Sequence, residues 1–255
     1  MVEKNIKGRL KESITPISFF VGILLIWEIV VSVTNYPEYL LPKPTRIINQ
    51  LITNFDSLLL HTGITMSEAV IGFIIANTLA FLAAVVFAHS KTIEKGLYPY
   101  AVALETTPII AMAPLLILWF GTDIGSKIVA AAIVAFFPML VNTVKGLKAI
   151  DEETLDLFRS LFANKWQIFI KLRLPNALPY IFSALKTSAA LSVIGAIVGE
   201  FVGANKGIGY VILISTYHME TVKMFTGIIM SAVAGMLFFW VVSLIEKKVV
   251  FWQKS

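Results

Sequence analysis

Long runs of apolar residues, separated by short polar segments, dominate the chain. A run of about 20 residues is needed to cross the roughly 30 Å hydrocarbon core of a bilayer. Six runs are long enough, and each is rich in Ile, Val, Leu, Phe and Ala without a cluster of charges. The pattern predicts an all-α, polytopic membrane protein with about six transmembrane helices. The predicted spans are 16–34, 66–88, 97–119, 127–144, 179–202 and 223–245.

The segments that flank these runs complete the predicted organisation. The first run is not a cleaved signal peptide, because a Pro-punctuated segment follows it instead of a small-residue cleavage site. The second run starts earlier if the apolar segment 57–60 belongs to it. We expect an N-terminal tail, a transmembrane domain and a C-terminal tail, with one long loop inside the domain. Their bounds are 1–15, 16–245 and 246–255, and the loop is 145–178.

The composition agrees with a membrane protein. Of 255 residues, 57% are hydrophobic, against about 45–50% in soluble domains, and 15% are charged, against about 25%. A soluble globule of this size cannot bury so much apolar side chain, and disordered chains are poor in it. The chain has no cysteine, which excludes disulfides, thiolate metal sites and cysteine nucleophiles.

The distribution of Lys and Arg predicts the orientation. Fifteen of the 21 lie in four segments that six spans place on one side: the two tails, 89–96 and 145–178. Five lie on the opposite side, among them Lys127, and Lys186 lies within the fifth span. Because positive loops stay in the cytoplasm, both termini are expected there. The basic charge therefore reports topology and does not indicate a nucleic-acid partner.

The long 145–178 loop carries an amphipathic pattern. Acidic residues at 151–153 suit a helix N-terminus, and Pro175 and Pro179 are expected to end the segment. We predict one helix over 151–175. It either packs on its own membrane surface or docks in a partner's groove, and the pattern does not separate the two. The apolar stripe consists of Leu155, Phe158, Phe162, Trp166, Phe169 and Ile170.

Two strings in this loop resemble the EAA motif of ABC importer permeases, which reads roughly E-A-A-x-x-x-G, nine residues, I-x-L-P. The strings are 156–162 (DLFRSLF) and 172–175 (LRLP). Asp156 stands for the Glu, and Leu174 and Pro175 match outright. Phe162 stands for the glycine that lets the family's loop turn between two short helices, so this chain is expected to form that turn less readily.

Strings elsewhere resemble the nitrate/sulfonate/taurine class of these permeases, in the right order over about 40–245. The resemblance implies a type I importer fold in a bacterial or archaeal cell membrane. The strings that carry this resemblance are LPKP at 41–44, APL at 113–115, WFG at 119–121, FFP at 136–138, GEFVGA at 199–204 and KGIGY at 206–210.

The resemblance also implies partners: a cytoplasmic ABC ATPase, an external substrate-binding protein, a second permease copy that makes a homodimer, and the surrounding lipid. The chain has no P-loop of its own, because the nearest string, 121–127, has the wrong spacing. We therefore expect no catalytic residue, no metal and no cofactor, with ATP bound by the partner. The expected ATPase-coupling residues are Asp156, Phe158, Arg159, Ser160, Phe162, Trp166, Leu174 and Pro175.

Ionisable side chains inside the spans are functional candidates, because each is costly in lipid. Glu28 and Glu68 lie near an interface and are expected to snorkel or cap. Glu105 lies in a Pro-rich span that favours a broken helix, as in transport pathways. We expect Glu105 either to line a pathway or gate or to pair with Lys186. The expected pathway or gate residues are Glu105, Asn142, Lys186 and Glu200.

Glycines at 195, 199, 203 and 207 repeat every four residues around Glu200. This spacing predicts a smooth stripe for close helix packing, with Glu200 bonding across the interface or closing a gate.

The intramembrane charges favour a neutral or weakly basic solute, since four carboxylates face one lysine in the spans. The strings at 105–108 and 163–167 look most like permeases for thiamine-precursor pyrimidines; riboflavin, taurine, sulfonate and nitrate remain open.

Other classes of function fit less well. An intramembrane protease or a channel is the main alternative, but all four Asp lie in predicted loops and no span shows a filter-like string. His61, His89 and His218 are far apart, and we expect them to be interfacial or loop residues.

Overall fold

The computed structural model describes residues 2–34 and 36–252, with side chains from residue 15 onward; residues 253–255 of the predicted C-terminal tail lie outside them. Within this part the chain forms eleven α-helices and one π-helical turn, Phe169–Arg173. The α-helices are α1 (Val2–Thr34), α2 (Pro44–Thr53), α3 (Phe55–His89), α4 (Lys91–Thr106), α5 (Ile109–Phe120), α6 (Ile124–Lys148), α7 (Glu152–Ser160), α8 (Lys165–Ile168), α9 (Leu174–Glu200), α10 (Ile208–Tyr217) and α11 (Thr221–Val249).

The predicted all-α, multi-span architecture is confirmed. Five helical stretches in the described part are long and apolar enough to cross a membrane, and a sixth span results if the bent pair α4–α5 counts as one. α3 begins at Phe55, which confirms the earlier start of the second span. α10 has 10 residues and is about 15 Å long, which is too short to cross.

The third span, predicted over 97–119, is a broken helix, as its prolines favoured. α4 and α5 meet at an angle of 99°. Thr107 has an extended backbone, and Pro108 follows as the N-cap of α5. The elbow forms at this point because proline lacks an N–H donor and disfavours helical geometry in the residue before it.

The core lies where α3, α6 and α9 cross, and it is built from small residues. A Cβ at Gly72 would lie 2.6 Å from the Ala131 Cβ, and one at Gly195 would lie 2.7 Å from the Ala131 Cα. Ser188 Oγ donates to the Ala135 carbonyl at 2.8 Å across the interface. Small residues bring the backbones close enough to pack without a large hydrophobic driving force.

The predicted glycine stripe is half correct. Gly195 and Gly199 lie against α6. Gly203 and Gly207 lie beyond the end of α9 and have φ values of 130° and 105°. Those two glycines serve a turn, since other residues rarely adopt such angles.

The bundle has two ends that carry different loops. We call the end that holds residues 149–164 the coupling-loop end, and the end that holds residues 121–123 and 201–207 the opposite end.

Near the start of α2, Glu28 accepts hydrogen bonds from the Thr45 amide at 3.1 Å and the Thr45 hydroxyl at 2.9 Å. The expectation that Glu28 acts as a cap is therefore confirmed.

Candidate functional sites

The loop 145–178, which we call the coupling loop, contains a well-formed helix cap at the start of α7. Asp151 accepts hydrogen bonds from the Thr154 amide at 2.9 Å and the Thr154 hydroxyl at 2.7 Å. These bonds favour the carboxylate and hold the pKa of Asp151 below its usual range. The cap that starts α7 is therefore charged and intact at neutral pH.

α7 ends in a tight turn at Phe162. The Phe162 amide donates to the Arg159 carbonyl at 2.9 Å, and the Ala163 amide donates to the Phe158 carbonyl at 3.1 Å. This pair of bonds is the Schellman arrangement, which usually places glycine in the left-handed region. In this chain Phe162 takes that position with φ of 54°. The turn forms despite the missing glycine.

This turn corrects the prediction of a single helix over 151–175. Asn164 starts α8 with a capping box, in which Asn164 and Gln167 exchange two hydrogen bonds of 2.8 Å. Leu174 and Pro175 begin α9 instead of ending the loop, because a helix tolerates proline in its first turn. The two short helices follow the family pattern.

The predicted apolar stripe divides between two faces. Phe169 is buried against the bundle and Phe158 is half-buried, whereas Phe162 is 95% exposed. The expected coupling residues Asp156, Arg159 and Ser160 are exposed, and Asp156 pairs with Arg159 at 2.9 Å. Four apolar side chains of this loop are exposed, and we call them together the outward apolar face: Leu157, Leu161, Phe162 and Trp166.

Phe169 connects this loop to the helix bundle. Its ring centroid lies 5.7 Å from that of Trp166 and 5.5 Å from that of His89, at the end of α3. Arg173 donates to the Ala88 carbonyl at 3.3 Å. The α8 segment is therefore joined to α3 and to the start of α9 by packed rings and a hydrogen bond.

Two more contacts join the loop to the bundle. Asn176 at the start of α9 donates to the Ala149 carbonyl at 3.0 Å. Lys148 at the end of α6 pairs with Glu94 of α4 at 2.5 Å. Four helices of the bundle therefore meet around one short loop.

Glu105 lies beside the elbow between α4 and α5 and is exposed, and α4 has no buried residue. An exposed carboxylate at a break in a spanning helix cannot face hydrocarbon without a large cost. This surface therefore needs water or another protein chain against it.

The four predicted pathway residues are not brought together. Lys186 pairs with Glu246 of α11 at 2.7 Å, so the alternative pairing of Glu105 with Lys186 is wrong. Asn142 donates to the Pro138 carbonyl of its own helix at 2.8 Å.

Glu200 is fully buried at the opposite end. Its carboxylate accepts hydrogen bonds from the Thr65 hydroxyl at 2.6 Å and from the Gly209 amide at 2.5 Å. The Thr65 hydroxyl in turn accepts from the Ile208 amide at 2.8 Å. Glu200 of α9 thus forms hydrogen bonds to both α3 and α10, and it holds the N-terminus of α10 against α3. This is the first of its two predicted roles, a hydrogen bond across the helix interface.

His61 contributes to the same junction, although the sequence assigned it to a loop or interface. It lies in α3, half-buried, and its Nδ1 accepts the Gly207 amide at 3.1 Å. Residues of the GEFVGA and KGIGY strings therefore together fix the N-terminus of α10.

Sequence reasoning missed two members of this cluster. Glu68 is 4% exposed, so the expectation that it snorkels or caps is wrong. Lys127, counted as an external loop cation, is 2% exposed and donates to the Thr122 carbonyl. Glu68 and Glu200 interact electrostatically with it. The sequence signal that could have identified Lys127 was its position as the first residue of the predicted span 127–144.

Replacing Gly207 with alanine is expected to destabilise this junction by at least about 1–3 kcal/mol, the cost of placing a residue other than glycine at φ of 105° and ψ of 164°. The new Cβ would also displace the Glu200 carboxylate. Thermal unfolding in detergent checks this. Gly63→Ala is the control, because a Cβ there meets nothing within 4 Å. Equal melting temperatures for the two variants would contradict the role assigned to Gly207.

Comparison with known proteins places the chain among membrane transporters. The family model described as "Binding-protein-dependent transport system inner membrane component" matches residues 76–251. The formylaminopyrimidine transport permease protein ThiX of Halalkalibacterium halodurans is 34% identical over 96% of this chain and 98% of its own length. The riboflavin transport system permease protein RibX of Chloroflexus aurantiacus is 34% identical over 91% of this chain and 88% of its own length.

A solved structure supports the same fold. The inward-facing MetNI methionine ABC transporter contains a chain that matches with a TM-score of 0.62 at 20% identity, over 79% of this chain and 98% of that one. The relatives are named as transport permeases, so the chain is a permease and not an enzyme. It belongs to the family of binding-protein-dependent transport system inner membrane components, the multi-pass permease subunits of bacterial ABC importers.

Proposed function

We propose that two copies of this chain form the passage of an ATP-driven importer. A separate ATPase subunit binds at the coupling loop, and an external binding protein delivers the solute at the opposite end. Nucleotide is bound by the ATPase, and the permease itself needs no cofactor. The family's dependence on a binding protein supports this scheme.

The observation that carries the proposal is the outward apolar face, and Phe162 above all. A residue other than glycine in the left-handed region costs about 1–2 kcal/mol, and Phe162 leaves its ring in water. Strain together with exposure favours a partner that buries the ring. Asp156 and Arg159 beside it supply charges that set register at the rim of such an interface.

The proposed orientation follows from the positive charge. The coupling-loop end carries most of the Lys and Arg, which favours a cytoplasmic location for this end and for both tails, 1–15 and 246–255. The transmembrane domain then comprises 16–245, with the 145–178 loop facing the ATPase.

Co-purification tests the ATPase partner. A Trp166→Glu variant is expected to lose most of the co-purifying ATPase, because a charge enters the apolar interface uncompensated. Phe251→Glu is the matched control, an exposed aromatic on the same side, and should retain the ATPase. The ATPase proposal fails if both variants retain it equally.

We assign the second copy to the exposed side of α4. A carboxylate that cannot face lipid is satisfied when two copies of Glu105 line a hydrated passage between them. The elbow then exposes its backbone to that passage, as non-helical segments at membrane depth require.

Cross-linking tests this arrangement directly, since the chain has no natural cysteine. Leu104→Cys, on the exposed side of α4, is expected to form a disulfide-linked homodimer under mild oxidation. Phe20→Cys on the exposed surface of α1 is the control and should stay monomeric on a denaturing gel. A Leu104→Cys variant that never cross-links would contradict a passage between the α4 helices.

For the solute we propose a small neutral or weakly basic molecule, with a thiamine-precursor pyrimidine as the first candidate. Carboxylates outnumber lysines within the spans, and ThiX and RibX, each 34% identical to this chain, are named for an aminopyrimidine and for riboflavin. Calorimetry on the partner binding protein with formylaminopyrimidine, riboflavin, taurine and nitrate tests the choice. Tight binding of nitrate alone would refute it.

A further inference from the structure

The turn after α10 repeats at the opposite end of the bundle the geometry of the turn at Phe162. Within the described part of the chain, two residues other than glycine have a positive φ: Phe162 at 54° and Met219 at 57°. The Met219 amide donates to the Thr216 carbonyl at 3.2 Å, and the Glu220 amide donates to the Ser215 carbonyl at 2.8 Å. This is again the Schellman arrangement, and glycine would adopt it without the strain that methionine bears.

The Met219 side chain contributes little to packing within the chain. It is 71% exposed, and it lies between the end of α10 and the start of α11, outside the spanning helices. The hydrocarbon of the bilayer therefore does not cover it. A strained backbone that presents an exposed apolar side chain favours a partner that buries the side chain.

Met219 lines a cavity of about 480 Å³ between the segment after α1, the end of α2 and the start of α11. The wall is held in place from within the chain, because the buried Thr221 hydroxyl donates to the Tyr39 carbonyl at 2.6 Å. The cavity is therefore formed before any partner arrives. The polar residues that line it are Glu38, Gln50, Asn54, Glu220, Thr221 and Lys223.

The charges around this cavity are of both signs and are exposed. Glu220 pairs with Lys223 at 3.4 Å, and Glu38 pairs with Arg46 at 3.9 Å. Paired charges and amides around an exposed methionine and tyrosine are the composition of a protein–protein interface, in which Met and Tyr are enriched and the rim is polar. An anionic lipid headgroup would instead lie against two exposed carboxylates, which opposes its binding.

We propose that Met219 and the cavity beside it form an anchor for the external binding protein. Met219 enters an apolar recess of that protein, and a polar side chain of the protein enters the cavity; we call this surface the outer anchor. The family is described as binding-protein-dependent, so such a partner must contact the external end. The assignment of this end to the outside rests on the proposed function. Pockets that receive one side chain commonly hold the residues that dominate an interface.

The affinity of the permease–ATPase complex for its binding protein, measured in lipid nanodiscs, tests the outer anchor. Met219→Ala keeps the strained backbone but removes most of the apolar side chain, and it should weaken binding about tenfold. Met236→Ala is the matched control, an exposed methionine within the spanning part of α11, and should leave the affinity unchanged.

A second variant fills the cavity. Asn54 is exposed at the end of α2 and lines the cavity, so Asn54→Trp should weaken binding at least tenfold without altering the melting temperature of the complex. Both losses should be equal in nanodiscs of neutral and of anionic lipid. The proposal is overturned if both variants bind like the unaltered complex, or if the losses occur in only one lipid, which would assign the surface to the bilayer.

Failure of the outer anchor is distinguishable from failure of the importer. Vesicles that accumulate solute only with the binding protein, while both variants bind it normally, would retain the proposed function and discard the anchor. An unaltered complex that binds no binding protein, in vesicles that accumulate no solute, would refute the importer and the anchor together.

Discussion

Replacing Phe162 with glycine is expected to relax the turn after α7 and yet weaken the hold on the ATPase by about 10- to 100-fold. Glycine removes the backbone strain of about 1–2 kcal/mol. It also removes a ring whose burial in a partner is worth about 1.5–3 kcal/mol. The substitution should therefore stabilise the turn but weaken the binding of the ATPase. A purely structural role for Phe162 would not produce these opposite changes.

The affinity of the purified permease for its ATPase, measured by calorimetry, checks the loss. Amide hydrogen exchange over 158–164 checks the gain in protection. Phe251→Gly, also an exposed aromatic, is the control and should change neither. Unchanged or tighter ATPase binding in Phe162→Gly would mean that the phenylalanine ring does not contribute to the ATPase interface.

Glu200→Leu is expected to destabilise the protein by about 2–6 kcal/mol. The Thr65 hydroxyl and the Gly209 amide each lose a buried acceptor, and a buried donor left unsatisfied costs about 1–3 kcal/mol. Lys127 also loses one of the carboxylates that offset its buried charge. The start of α10 should detach from α3.

Thermal unfolding in detergent measures this loss. Glu200→Gln keeps one acceptor and should lie between the unaltered protein and Glu200→Leu. Glu220→Leu is the control, because Glu220 is exposed at the same end. A melting temperature of Glu200→Leu equal to that of the control would mean that this carboxylate does not hold α10.

The spans could be predicted because crossing a bilayer imposes length and apolarity on each segment separately. Hydropathy by itself does not reveal the break in the third span, because it continues through Pro108 while the backbone turns by 99°. Apolar content reports the solvent of a segment but not its direction. Proline at 108 was a local signal for the break.

The coupling loop was predicted in position and chemistry but not in shape. The 3.6-residue spacing of its apolar residues continues across Phe162, so periodicity alone predicted one helix. The bonds that close the turn run between backbone groups of residues 158–163, and side-chain pattern does not reveal them. Resemblance to a motif with glycine at this position was the better guide.

The cluster at the opposite end was the hardest to foresee. Glu68, Lys127 and Glu200 are distant in sequence and meet only through the packing of α3, α6 and α9. Counting Lys127 as a loop cation followed from its place at a span boundary, where a charge is normally solvated. Only the tertiary fold shows that the opposite end closes over it.

Solute uptake by proteoliposomes tests the central claim most directly. The vesicles contain the permease and its ATPase, with ATP trapped inside, and receive labelled solute on its binding protein outside. We predict accumulation that requires both ATP and the binding protein and that falls sharply in Phe162→Glu. Accumulation without ATP, or uptake independent of the binding protein, would contradict an importer driven through the coupling loop.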